Sequence, residues 1–151
     1  MDKCFVVCGC DDLEGVTKSD LDRFTDKIEN VLNDEKGRRL FRNFMFTCNM
    51  KHGRRVLDFW ENIERLLNHT ENAESTSFSS YLRDYVRLID AAERVEELDF
   101  ATMERMVIAR DSENKEEMEE VLKVLKVEAT KALRREYSAF RVKFIPSKSN
   151  N

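Results

Sequence analysis

GRRLFRNFMFTCNMKHGRRVLDFWENIERLL, residues 37–67, decides the fold. Leu40, Phe41, Phe44, Met45 and Cys48 recur at three- and four-residue spacing, the period of an amphipathic helix over about 37–50. Lys51-His52-Gly53 reads as a break. Val56, Phe59, Trp60, Ile63, Leu66 and Leu67 then define a second helix over about 54–69. Aromatic residues on both sides of a short basic turn imply two helices closing on a common core with the turn left exposed. No nucleophile, metal cluster or phosphate-binding loop is legible in this stretch, so it points to a binding module rather than an enzyme.

Working outward, Thr17 or Ser19 supplies a cap for an earlier helix, with Asp20 and Asp22 favourably placed in its first turn. Leu21, Phe24, Ile28, Val31 and Leu32 carry that helix to about Asn33. Residues 70–77 are small and polar and read as a loop. Phe78, Tyr81, Leu82, Tyr85, Leu88, Ile89, Ala92 and Val95 mark a further helix, and Leu98-Asp99 ends it or opens a turn. Met103, Met106 and Val107 mark a short helix over about 101–110. From Lys115 to Phe144 one apolar stripe runs through Met118, Leu122, Leu125, Ala129, Leu133, Tyr137 and Phe140. A single helix of that length would measure ~45 Å at 1.5 Å per residue, so a bend is expected near Thr130 to Leu133. Residues 1–16 read as a flexible lead-in, 17–145 as one helical domain and 146–151 as a disordered tail. Trp60 with Phe59, Phe44 and Tyr85 is the expected core nucleus.

The composition supports an all-α chain. Four Gly and one Pro in 151 residues leave little material for hairpins. A 41% apolar share supplies a core, and 37% charged residues supply solvated helix faces. The formal net charge of −4 disfavours nucleic acid as the partner. No apolar run approaches the ~20 residues of a membrane span, and no secretory signal is legible. Cys4, Cys8, Cys10 and Cys48 do not have the spread of a disulfide framework. A reducing, cytoplasmic setting is expected, with a peripheral membrane contact through acylated N-terminal cysteines as a lesser alternative. The cysteine spacing fits no common zinc pattern, so neither a metal nor a cofactor is expected. Arg38-Arg39, Arg54-Arg55 and Arg134-Arg135 are helix-end cations able to grip an acidic partner.

The order of these patterns resembles the RGS-homology family, the regulators of G-protein signalling. Gly37-Arg38-Arg39-Leu40-Phe41-Arg42-Asn43-Phe44 is similar to the family's Gly-x-x-x-Phe-x-x-Phe helix. Leu57-Asp58-Phe59-Trp60 is similar to its apolar-acidic-Phe-Trp block. Leu98-Asp99 looks like the entry into the sixth helix, and the Tyr-x-x-Phe-x-x-x-Phe ending looks like the last long helices. The resemblance spans about residues 19–145. It implies a multi-helix RGS-like fold containing an antiparallel four-helix bundle, no active site of its own, and a Gα subunit as partner. Such domains hold the Gα switch regions in their transition-state shape through three inter-helix loops, while the catalytic groups belong to Gα.

Carried over residue by residue, the resemblance implies an interface drawn from Arg54, Arg55, Val56, Glu97, Leu98, Asp99, Lys131, Arg134 and Arg135. Where accelerating members have Asn before the Phe-Trp block, this chain has Val56, and where they have Glu before that Asn it has Arg55. At the second interface Asn it has Glu97, and near the last junction it offers Thr130, Lys131 and Ala132 in place of Asp. Arg134 or Arg135 corresponds to the interface Arg. A valine neither donates nor accepts a hydrogen bond, so the implied GTPase-activating activity is weak or lost. The alternative reading is a helical interaction or scaffold domain unrelated to Gα, homodimeric through its last stripe.

Overall fold

The structure is a computed structural model that describes residues 15–72 and 78–145, with side chains described throughout except at 69–72. The predicted lead-in up to residue 14 and the tail from 146, with the cysteines at 4, 8 and 10, lie outside the described residues. Eight helices and no strand occur among the described residues: α1 Lys18–Phe24, α2 Ile28–Leu32, α3 Glu35–Thr47, α4 Lys51–Asn72, α5 Phe78–Ala92, α6 Phe100–Ser112, α7 Lys115–Ala132 and α8 Arg134–Phe144. The chain is all-α. It divides into two compact units: residues up to Arg54 together with those from Leu133 onward, and residues Arg55–Ala132.

In the first unit, the single helix expected over 17–33 is two. Thr17 caps α1 in a reciprocal box with Asp20. Thr25 ends α1, its hydroxyl donating to the Leu21 carbonyl at 2.7 Å, and Lys27 is extended. The side-chain amide of Asn30 donates to the Arg23 carbonyl at 2.9 Å, tying α2 to the last turn of α1. Apolar periodicity cannot register such a break, because Phe24 and Ile28 stay in phase across it.

Asp34 caps α3, accepting from the amides of Lys36 at 2.8 Å and Gly37 at 3.2 Å. A Cβ built on Gly37 would lie 2.7 Å from the Val31 carbonyl, so α2 and α3 meet as they do because no side chain stands there. α3 stops at Cys48, with Asn49 in the left-handed region at φ 59°. The Asn49 amide donates to Phe46 at 3.1 Å and the Met50 amide to Met45 at 2.8 Å, the paired bonds of a Schellman stop. Cys48 itself is disulfide-bonded, which the expectation of a reducing setting does not foresee.

The break therefore falls at 48–50, not at Gly53. Lys51-His52-Gly53 is the opening turn of α4. Phe41, Tyr137 and Phe140 fill this unit's core: Phe140 lies 5.2 Å from Phe41 and 5.7 Å from Phe44, both edge-on, and 5.9 Å from Tyr137 in a stack.

In the second unit, the rest of α4 forms a ring with α5, α6 and α7. The Tyr85 hydroxyl of α5 donates to the Met106 carbonyl of α6 at 2.9 Å. Arg105, Ile108 and Ala109 of α6 face Glu117, Glu120 and Val121 of α7 across a shallow groove. Lys126 of α7 pairs with Glu64 of α4 at 2.6 Å and lies over the Trp60 ring at 5.4 Å. Asn62, Arg65 and Leu66 of α4 border Asp84, Arg87 and Leu88 of α5. Consecutive helices, each touching the next and the last touching the first, make an antiparallel four-helix bundle. Trp60, Phe59 and Tyr85 are all buried here. Phe44, the fourth residue of the expected nucleus, belongs to the first unit. The long last stripe breaks at Leu133, inside the expected bend, and α7 and α8 are separate helices.

Candidate functional site

Tight packing sets the geometry of the site in the first unit. Gly53 is buried where the first turn of α4 crosses the first turn of α8. A Cβ on Gly53 would lie 2.6 Å from Met45 Sδ and 2.7 Å from Glu136 Cγ. Such an approach needs glycine, and it brings the residues beside Gly53 to those beside Glu136. Lys51 and Arg54 from α4 thereby share one end of the unit with Arg134 and Arg135 from α8. Lys51, Arg134 and Arg135 are exposed. Arg54 is half-buried, its guanidinium held 5.0 Å above the centre of the Phe46 ring. Phe46 itself is 66% exposed. Glu136 is buried, with one carboxylate oxygen 3.9 Å from the Arg135 guanidinium. Three of the nine residues singled out from the sequence, Arg54, Arg134 and Arg135, belong to this unit.

The other six belong to the second unit. Arg55 is exposed, but Val56 is fully buried. The helical wheel explains this: Val56, Phe59, Trp60 and Ile63 share the face of α4 that points into the core. Leu98 is also buried, whereas Glu97 is exposed. Neither Val56 nor Leu98 therefore offers a side chain to a partner. Asp99 is exposed and caps α6, accepting from the Thr102 amide at 2.8 Å, and that backbone hydrogen bond above all lowers its pKa. Lys131 is exposed and pairs with Glu128 at 3.8 Å, one turn earlier.

Sequence reasoning passed over Phe46 and Glu136. Phe46 falls off the apolar stripe of its helix, between Met45 and Thr47, and an off-stripe phenylalanine is the signal that marks it. Glu136 sits beside the stripe residue Tyr137, and only the closeness of Gly53 explains its burial. Phe100, the first residue of α6, is 81% exposed.

Among the described residues no group of three or more His, Cys, Asp or Glu side chains is arranged to hold a metal. No helix among them is long and apolar enough to cross a membrane. The family model described as "Regulator of G protein signaling domain" matches residues 27–142, running from the start of α2 into the last turn of α8. No curated protein and no solved structure matches the chain.

Proposed function

The chain belongs to the RGS family, and from that premise we propose that it binds a Gα subunit and regulates G-protein signalling with little or no acceleration of GTP hydrolysis. The observation that carries the second half is the burial of Val56. The resemblance puts an interface Asn of accelerating members at this position. An amide there would hydrogen-bond the switch region, while a valine turned into the core has nothing to offer it. Arg55 and Glu97, both exposed, change the sign or polarity of two further contacts. A glutamate at the second of them adds negative charge toward an anionic nucleotide site, which opposes close approach. The chain would supply no catalytic group; any effect on hydrolysis comes from how it holds its partner.

The deciding experiment is binding to a panel of Gα subunits loaded with GDP and aluminium fluoride, alongside single-turnover GTP hydrolysis. Binding to at least one subunit at about micromolar Kd, with the hydrolysis rate raised less than about tenfold, is the expected result; tenfold corresponds to ~1.4 kcal/mol of barrier. Failure of every subunit to bind at that level would remove Gα as the partner. The alternative of a homodimer through the last helix draws on its nearly continuous apolar stripe. Light scattering on the purified chain tests it: a stable dimer would favour this alternative.

A further inference from the structure

In the second unit, α6 carries apolar residues on two sides. Met106 and Ala109 are buried, while Ile108 is 58% exposed and Val107 half-buried. A helix that serves only its own core confines its apolar residues to one stripe, so the outward Ile108 is not explained by folding. It does not stand alone. With Ala109 and with Val121 of α7 it lines a groove of 240 Å³, bordered by Arg105 on the α6 side and by Glu117 and Glu120 on the α7 side. The stretch that turns from α6 into α7, residues 111–120, holds six carboxylates against one lysine. Its net charge of −5 exceeds the −4 of the whole chain, so the rest of the chain sums to +1. Part of this charge has a role within the chain. Glu116 and Glu117 stand in the first turn of α7, where the helix dipole favours acids. Asp111 pairs with Arg110 at 3.0 Å and Glu120 with Lys123 at 3.6 Å, in pairs open to solvent. Glu113, Glu116 and Glu117 are exposed and form no ion pair among the described residues. The groove is also remote from the residues carried over through the family resemblance. Ala109 lies ~15 Å along α6 from Asp99, and Glu117 ~21 Å along α7 from Lys131, at 1.5 Å per residue.

We propose that the groove between α6 and α7 is a docking site for a basic amphipathic helix of a partner protein. An apolar side chain of that helix lies on Ile108 and Val121, and its lysines or arginines meet Glu113, Glu117 and Glu120. The charge beside the groove names the occupant. A nucleic acid or an anionic membrane is repelled by a net −5. A small cation would neutralise the carboxylates but leave Ile108 in water. A helix offers both elements at once, since residues three and four apart share a side and can set an apolar residue next to cations. Covering Ile108 supplies the apolar part of the binding energy. The exposed carboxylates speed the encounter and fix the orientation. The inference goes beyond the Gα reading and stands without it, because the surface and the chemistry it recognises are both different.

The test is selection of phage-displayed random peptides on the full chain, followed by fluorescence anisotropy with the synthesised sequences. Enriched peptides are expected to carry Lys and Arg around apolar residues at helical spacing. Their affinity should fall as salt rises and drop about tenfold in Glu117→Lys with Glu120→Lys. Ile108→Ala should weaken them several-fold, with an unchanged far-UV circular dichroism spectrum. Asp90→Lys with Glu93→Lys, an equal change of charge on exposed residues outside the groove, should leave the affinity nearly unchanged. Sedimentation velocity of the chain without peptide forms the second arm, and the groove variants should leave its oligomeric state as it was. No enrichment, enrichment without basic bias, equal losses for the two charge reversals, or peptides indifferent to Ile108→Ala would each overturn the proposal. A dimer that Ile108→Ala dissolves would give the groove to a second copy of the chain and overturn it too.

Discussion

The Tyr137 hydroxyl donates to the Phe24 carbonyl at 2.7 Å, joining the C-terminal helix α8 to the end of α1 across 113 residues of chain. One turn further along α8, the Arg141 Nε–H donates to the Thr25 carbonyl at 2.7 Å. Both acceptors are carbonyls that the end of α1 leaves without helical partners. Burial pushes the phenol up to about 12, so it keeps its proton and stays a donor across the physiological range. Tyr137→Phe should lower stability by about 1–2 kcal/mol, since it strands a buried acceptor. Urea unfolding measures the loss, and hydrogen exchange should show the amides of α1 opening first. Unaltered protection of α1 would mean that the bond contributes nothing to its docking.

Replacing Gly53 tests the crossing directly. Alanine is the better helix former by about 1 kcal/mol, so propensity alone predicts a stabilised protein. The added methyl would however meet Met45 Sδ at 2.6 Å and Glu136 Cγ at 2.7 Å. Overpacking of this kind costs about 1–3 kcal/mol. Gly53→Ala should therefore lower the melting temperature, and Glu136→Ala in the same chain should recover part of the drop. A rise in melting temperature for the single variant would show that the crossing is looser than described.

The same glycine shows where the sequence is legible and where it is not. Apolar spacing located nearly every helix, because it reports which face meets a core, and the residues around Phe59-Trp60 were enough to suggest the family. Spacing could not tell whether Gly53 bends the chain or admits a neighbour, since both call for a missing side chain. It also missed the stop at Asn49, where local hydrogen bonds rather than hydropathy end the helix. The candidate site suffered more. A position aligned to a family contact need not point outward, and Val56 points inward.

Trp60 anchors the four-helix unit. It is 2% exposed and has Lys126 against its ring. Trp60→Ala should cost about 3–5 kcal/mol through lost burial and the cavity left behind. Trp60→Phe keeps most of the apolar volume and should cost less than half as much. Equal losses for the two, by chemical denaturation, would place the energy in something only the indole provides.

Acid should weaken the first unit in a defined window. The Thr17 backbone amide, and after it the Lys36 ammonium, hold the Asp20 carboxyl down at about 2, against an ordinary 3.8. A carboxylate with a depressed native pKa binds protons more tightly when unfolded. Its contribution is present in full above the unfolded value and disappears as pH falls through the native one. Melting temperature followed from about pH 6 to about pH 2 should drop mainly below pH 4, and Asp20→Asn should flatten that part of the profile. Parallel profiles for the two proteins would assign the acid sensitivity to other groups.

Restoring family-like contacts should succeed at one position and fail at the other. Glu97 is exposed, so Glu97→Asn alters the surface and leaves stability within about 0.5 kcal/mol. With the bound Gα fixed, it should raise single-turnover GTP hydrolysis if, as proposed, Glu97 adds negative charge toward the nucleotide site. Val56 is fully buried, so Val56→Asn places an amide in an apolar core and should cost about 1–3 kcal/mol without raising the rate. The two variants thus separate surface chemistry from backbone placement. If Val56→Asn accelerated hydrolysis at unchanged stability, the side chain at 56 would have to turn outward on the partner, and the loss of activation would be a matter of residue identity alone.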